Sequence, residues 1–235
     1  AAREKFRNGE LPMAERLLQQ LLLLNNRIPE VYQMLGTLYY DQGKFTKAIQ
    51  YAISKGITHI DTAEIYGAGH SEELVGEAIK RLDRKKLFIT TKVWPTHLAY
   101  DKVLKACEGS LKRLGVNYID LYLVHWPNLL ANMKNTMRAF DELVKEGKIR
   151  YIGVSNFSVR QLSNAQKYTK NKIVTNQVHY SILHRDPEKG LLDFCQKENI
   201  ILTAYTPIAK GALVKGQSDA LDTIAKKYDK TPIQI

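Results

Sequence analysis

The chain has 235 residues, 44% hydrophobic and 25% charged, a composition ordinary for a globular protein and long enough to bury a substantial core. Against 24 acidic residues stand 35 basic ones, and the net charge of +11 favours anionic ligands. No apolar run approaches the roughly 18 residues a bilayer span needs, the start shows no signal-peptide layout, and the lysines lack aromatic interleaving; no membrane and no nucleic-acid partner are expected, and the location read is cytoplasmic.

No strand pattern precedes residue 56, but the first fifty residues carry a period. Gly9 and Gly43, Leu11 and Phe45, and Ala14 and Ala48 are each 34 residues apart. The second copy, PEVYQMLGTLYYDQGKFTKAIQY (29–51), has Tyr32, Leu35, Gly36, Tyr39, Gly43 and Ala48 at the signature positions of the tetratricopeptide repeat family, which it resembles. The resemblance implies a helical domain over residues 1–51, about one and a half repeats. Three helices are expected, the third continuing to about Ser54, with Tyr32, Leu35 and Tyr39 turned toward partner helices. LLQQLLLL (17–24) is apolar nearly all round and reads as a helix packed on both sides. Such a segment would contact a peptide or another protein.

From residue 56 onward, short apolar, β-branched runs alternate with helical patterns. Strand cores fall near 57–61, 87–93, 119–125, 149–155, 173–178 and 201–206. Helical patterns lie near 71–82, 100–114, 132–147, 158–167, 187–199 and 218–228. This is an α/β chain of six βα units with a parallel sheet. Polar residues close the first three runs: Asp61 and Tyr66 in GITHIDTAEIYG (56–67), Lys92 in LFITTKVW (87–94), and His125 in IDLYLVHW (119–126). Catalytic groups of parallel α/β barrels gather at the C-terminal strand ends.

The chemistry of a carbonyl reduction fits these four residue types. Hydride must reach the carbonyl carbon and a proton the oxygen. A tyrosine hydroxyl, with a usual pKa of about 10, is too weak an acid alone. A nearby lysine ammonium favours the phenolate and lowers that value, and an aspartate beside the lysine keeps it charged and in place. A histidine orients the carbonyl and donates to its oxygen. Tyr66 is thus the candidate general acid, Lys92 and Asp61 its tuning pair, and His125 the orienting group. Singly, each has a plainer reading: Asp61 with Thr62 as a turn cap, Ser155 with Asn156 as a helix cap.

HIDTAEIYG, TKVW and LVHWP resemble the motifs of the aldo-keto reductases, and the likeness continues through IRYIGVSNFS (149–158), TNQVHYS (175–181) and LTAYTPIAKG (202–211). That resemblance covers residues 48–235 and implies a (β/α)8 TIM barrel that reduces aldehydes or ketones with NADPH. It implies that Ser155, Asn156 and Gln177 bind the nicotinamide carboxamide and that Tyr205 stacks on the nicotinamide ring. It also implies that Thr206, Ile208 and Lys210 approach the pyrophosphate, and that Trp94 and Trp126 wall the substrate pocket.

KAIQYAISKG (47–56) fits both resemblances, so the chain reads as a chimera joined near residues 48–52, with an aldo-keto reductase-like domain over 52–235. Six βα units leave the barrel without its first and last strands, and weak or lost NADPH binding is expected with impaired activity. Unpaired edges at 57–61 and 201–206 would promote self-association. The alternative function is a non-catalytic helical-repeat interaction module carried on the barrel. Gly67-Ala68-Gly69 is no dinucleotide fingerprint, because Glu72 stands where its third glycine belongs; Ser71 reads as the cap of the next helix. Cys107 and Cys195 read as buried thiols, and the six histidines show no ligand spacing, so no metal site is expected.

Overall fold

The computed structural model describes residues 12, 14–18, 43–209 and 219–231. Six parallel strands form one sheet in chain order: β1 (His59–Asp61), β2 (Phe88–Val93), β3 (Ile119–Val124), β4 (Ile149–Ser155), β5 (Ile173–His179) and β6 (Ile201–Tyr205). The helices are α1 (Phe45–Ser54), α2 (His70–Ile79), α3 (Tyr100–Leu114), α4 (Met133–Lys145), α5 (Val159–Gln166), α6 (Leu191–Lys197) and α7 (Asp219–Lys227). A parallel neighbour cannot be reached by a hairpin, so α2 to α6 are the crossovers between successive strands. Among the described residues no helix is long and apolar enough to cross a membrane, and no group of three His, Cys, Asp or Glu is placed to hold a metal ion.

Central and outer strands differ as their sequences require. Every residue of β3 is buried, which suits a parallel strand covered on both faces. That burial includes Asp120, whose carboxylate accepts from Arg150 Nη1 at 3.0 Å. At the end of the strand order, β6 is half-buried and Ile201 is 65% exposed. β1 is only three residues long, shorter than the apolar run 57–61, although Thr58 still accepts from Phe88 N–H at 3.0 Å.

The chain divides into two compact units, residues 1–90 with 108–119, and residues 91–107 with 120–235. In the first, α1 lies against α2, where Gln50 donates to Ala78 O at 3.3 Å. Ala14 and Leu18, one helical turn apart, are buried, and Glu15 pairs with Lys44 at 3.1 Å. α1 ends at Ser54, where the sequence places the end of that helix. Tyr32, Leu35 and Tyr39 lie outside the described residues.

The start of α2 corrects one expectation. Ser71 is not the cap; Gly69 is, with φ +97, and Ser71 lies inside the helix, where its Oγ accepts from Thr62 Oγ1 at 3.0 Å. Only glycine enters a helix from that left-handed conformation without strain. A Cβ on Gly69 would also lie 2.7 Å from Arg113 Cδ, so the arginine side chain would have to shift to admit it. Glu72, in the first turn of α2, is wholly buried, and one carboxylate oxygen accepts from Arg113 Nε and Nη2, each at 2.7 Å.

In the second unit, α4 buries Met137, Ala139, Phe140 and Leu143, and Phe140 stacks on Tyr122 at 5.2 Å. The β4–β5 register shifts after Ile152, so that Gly153 pairs with Thr175. A side chain at Gly153 would run into Leu123 and Thr175, which is why β4 carries glycine there. The helical pattern at 187–199 is broken in two: a 3-10 turn at Asp186–Glu188, then α6, entered through Gly190 with φ +103. Cys107 and Cys195 are buried thiols in α3 and α6, as expected, and burial pushes the Cys195 thiol up.

Candidate active site

The proposed catalytic residues divide between the units. In the first, Asp61 ends β1, in register with Thr90, and is exposed. Thr62 follows it into the core and donates its N–H to Thr90 O at 2.9 Å. Four residues on, Tyr66 begins the short turn Tyr66–Gly69, with its N–H on Ala63 O at 3.0 Å. Positive φ at Gly67, Ala68 and Gly69 makes this turn tight, and the Tyr66 side chain is left 42% exposed.

In the second unit Lys92 lies in the C-terminal half of β2, 1% exposed. An ammonium buried to this degree is tolerated only within a strongly polar environment. His125 follows β3, buried, with its N–H on Val93 O at 3.0 Å, so the ends of β2 and β3 stay in step. Trp94 meets the His125 ring edge-on, centroids 5.3 Å apart, whereas Trp126 is exposed.

The residues assigned to the nicotinamide side are joined by hydrogen bonds. Ser155, the last residue of β4, donates its hydroxyl to Gln177 O at 2.8 Å and is in register with Gln177 on β5. Asn156 takes φ +63, a conformation asparagine tolerates better than most residues. Its N–H also bonds Gln177 O, at 2.9 Å, and its amide donates to His125 O at 3.1 Å and Ser155 Oγ at 3.0 Å. The Asn156 Oδ1 accepts from Tyr205 OH at 3.0 Å. Burial pushes the Tyr205 phenol up, which keeps it the neutral donor this bond needs. Asn156 thereby ties the ends of β3, β4, β5 and β6 together. Thr206, with φ +56, turns the chain away after β6; Ile208 is exposed, and Lys210 lies outside the described residues.

The Ser-Asn pair is not the cap of α5. That role falls to Ser158, whose hydroxyl accepts from Gln161 N–H at 3.3 Å while the Gln161 side chain accepts from Ser158 N–H at 2.9 Å. This reciprocal pair leaves Ser155 and Asn156 available to the strand-end network. Ser158→Ala should lower stability by about 1 kcal/mol, read as a shift of the urea midpoint at unchanged slope.

Sequence reading missed two residues here. His179, in register with Tyr205, lays its ring parallel to the tyrosine (5.5 Å, 7°), and His184 stacks on His179 (4.0 Å, 14°). The signal for His179 was the strand period, since Thr175, Gln177 and His179 alternate onto one face of β5. Nothing in the sequence marks His184.

A parallel βα sheet whose strands close on Asp, Lys, His, Ser-Asn, Gln and Tyr defines an α/β enzyme-like scaffold with its polar residues at the strand ends. The sequence pattern of the Aldo/keto reductase family matches residues 33–232, and this chain belongs to that family. It is 39% identical over 221 residues to the glyoxal reductase of Bacillus subtilis, an alignment spanning 93% of this chain and 77% of that protein. Among solved structures it resembles a thermostable aldo-keto reductase bound to the inhibitor epalrestat, with TM-score 0.77 and 47% identity over 83% of this chain and 72% of the other. It also resembles an aldo/keto reductase of Klebsiella pneumoniae in complex with NADP and acetate, with TM-score 0.74 and 36% identity over 82% and 69%.

The family match starts at residue 33, inside the stretch read as the second tetratricopeptide-like copy. The comparisons support neither a tetratricopeptide segment nor a chimera. The period of 34 rests on three residue pairs only.

Proposed function

We propose that this protein reduces a small aldehyde or ketone, with a 1,2-dicarbonyl such as glyoxal as the first candidate, using NADPH. Three things support this reading: family membership, the glyoxal reductase of Bacillus subtilis as a relative, and the NADP complex of the Klebsiella pneumoniae structure. The observation that carries it is the Asn156 network, which joins Ser155, the main-chain carbonyl of Gln177 and Tyr205 in one hydrogen-bonded set. Amide and hydroxyl groups beside a neutral aromatic ring are what a flat ring bearing a carboxamide requires. When bound, NADPH supplies the hydride.

The protein's own residues do the rest. Tyr66 gives its phenolic proton to the carbonyl oxygen as that oxygen gains charge. Lys92 lowers the phenol's pKa, and Asp61 keeps the ammonium charged and oriented. His125, in edge-on contact with Trp94 and tied by its backbone bond to Val93, donates to the carbonyl oxygen. Trp94 and Trp126 provide aromatic walls for the substrate, and Thr206, Ile208 and Lys210 are the residues assigned to the pyrophosphate.

The test is loss of NADPH absorbance in the presence of glyoxal. Turnover that saturates in both glyoxal and NADPH is expected. A chain that binds NADPH but leaves every short aldehyde, ketone and dicarbonyl unreduced would overturn the assignment.

A further inference from the structure

We infer that His179 and His184 are positioning residues, a two-ring backing that sets the plane of Tyr205 for stacking on the nicotinamide. The inference deepens the proposed function and rests on its placing of the nicotinamide against Tyr205.

Three rings lie nearly parallel, with His179 stacked on each of the other two. His184 and His179 are 4.0 Å apart at 14°, and His179 and Tyr205 are 5.5 Å apart at 7°. At that separation two parallel planes are offset, a favoured arrangement for ring pairs. Among the described residues no other ring stacks on Tyr205. A platform ring can tilt about the axis through its hydroxyl. Asn156 holds that hydroxyl at 3.0 Å but leaves the tilt open. The His179 ring, on the neighbouring strand and in register with Tyr205, closes that remaining freedom.

The second ring is placed by a built turn, not by chance exposure. Beyond β5 the chain doubles back at 181–184, where Ser181 N–H bonds His184 O at 3.1 Å and His184 N–H bonds Ser181 O at 3.0 Å. Just beyond it, Glu188 accepts from Tyr180 OH at 2.8 Å and from Arg185 Nε and Nη2 at 2.8 and 2.6 Å. Arg185 and then Tyr180 hold the Glu188 carboxyl below the usual range, so this clamp is intact at neutral pH. It ties both ends of the turn and brings His184 back over His179.

The experiment compares His179→Leu, which removes the ring, with His179→Phe, which keeps one. Two readouts are taken: NADPH fluorescence titration carried to millimolar concentration, and the NMR ring signals of Tyr205 in the protein without cofactor. His179→Leu should shift the Tyr205 ring signals and weaken NADPH binding by about three- to tenfold, the size of one stacked pair. His179→Phe should return binding to within about twofold of the wild type, because a ring of any kind supplies the backing. Should His179→Leu not fold, His184→Leu, in the surface turn, takes its place with a smaller shift in the same direction. Equal weakening by Leu and Phe, or no change with either, overturns the inference while wild-type binding upholds the cofactor assignment. A wild-type protein that binds no NADPH at any concentration overturns both.

Discussion

Tyr66→Phe is expected to lower the turnover of carbonyl reduction by about 10²–10⁴-fold, the usual contribution of a positioned general acid. The substitution removes one hydroxyl and nothing else. Tyr66 is 42% exposed and stands in a surface turn, so a purely structural role would leave turnover nearly unchanged. Surface changes of this kind move stability by no more than about 0.5 kcal/mol. The thermal midpoint and NADPH affinity should therefore match the wild type while turnover collapses. Steady-state kinetics with a fluorescence titration of NADPH on the same preparation separates the two. A variant retaining more than about a tenth of wild-type turnover would remove Tyr66 from the proton-donor role.

Glu72→Ala is expected to have the largest effect on stability. The carboxylate is completely buried and held by two Arg113 nitrogens at 2.7 Å. Its place in the first turn of α2 adds the favourable end of the helix dipole. Removing one partner of a buried pair leaves the other charge without its counter-ion; Arg113 retains 27% exposure, which moderates the loss to about 3 kcal/mol. The double replacement Glu72→Met with Arg113→Leu should recover much of that, because it leaves no lone buried charge. Urea denaturation of the wild type, the single variant and the double variant measures both statements. If Glu72→Ala stayed within about 0.5 kcal/mol of the wild type, the pair would not be holding α2 to α3.

The same residue shows how far a sequence carries. Glu72 was legible as an argument against a dinucleotide fingerprint, because a carboxylate at the third glycine position repels a pyrophosphate. That it is buried against an arginine 41 residues away was not legible. Ser71 looked like a helix cap from its residue type alone. The cap is Gly69, because the chain arrives there with φ +97 and Arg113 fills the space a side chain would need. The helical pattern at 187–199 was broken by Gly190 for the same kind of reason, a left-handed residue within an otherwise helical stretch.

Taken alone, the sequence determined the order and kind of the elements. Runs such as IDLYLV and FITTKV are short and rich in apolar and β-branched residues, and the amphipathic stretches between them repeat at the helical period, so six βα units could be counted in order. It also determined which polar residues close each strand, from Asp61 and Lys92 to His125, Asn156, Gln177 and Tyr205. These are local properties, written in a residue and its near neighbours. Tertiary structure alone decided which of them touch. Asn156 reaches Tyr205 across 49 residues only because its left-handed backbone turns the amide toward β6. His179 meets Tyr205 only because β5 and β6 pair in that register; a slip of one residue would turn the histidine to the other face of the sheet. Register and backbone handedness arise from packing summed over the whole sheet, and no short window of sequence contains them.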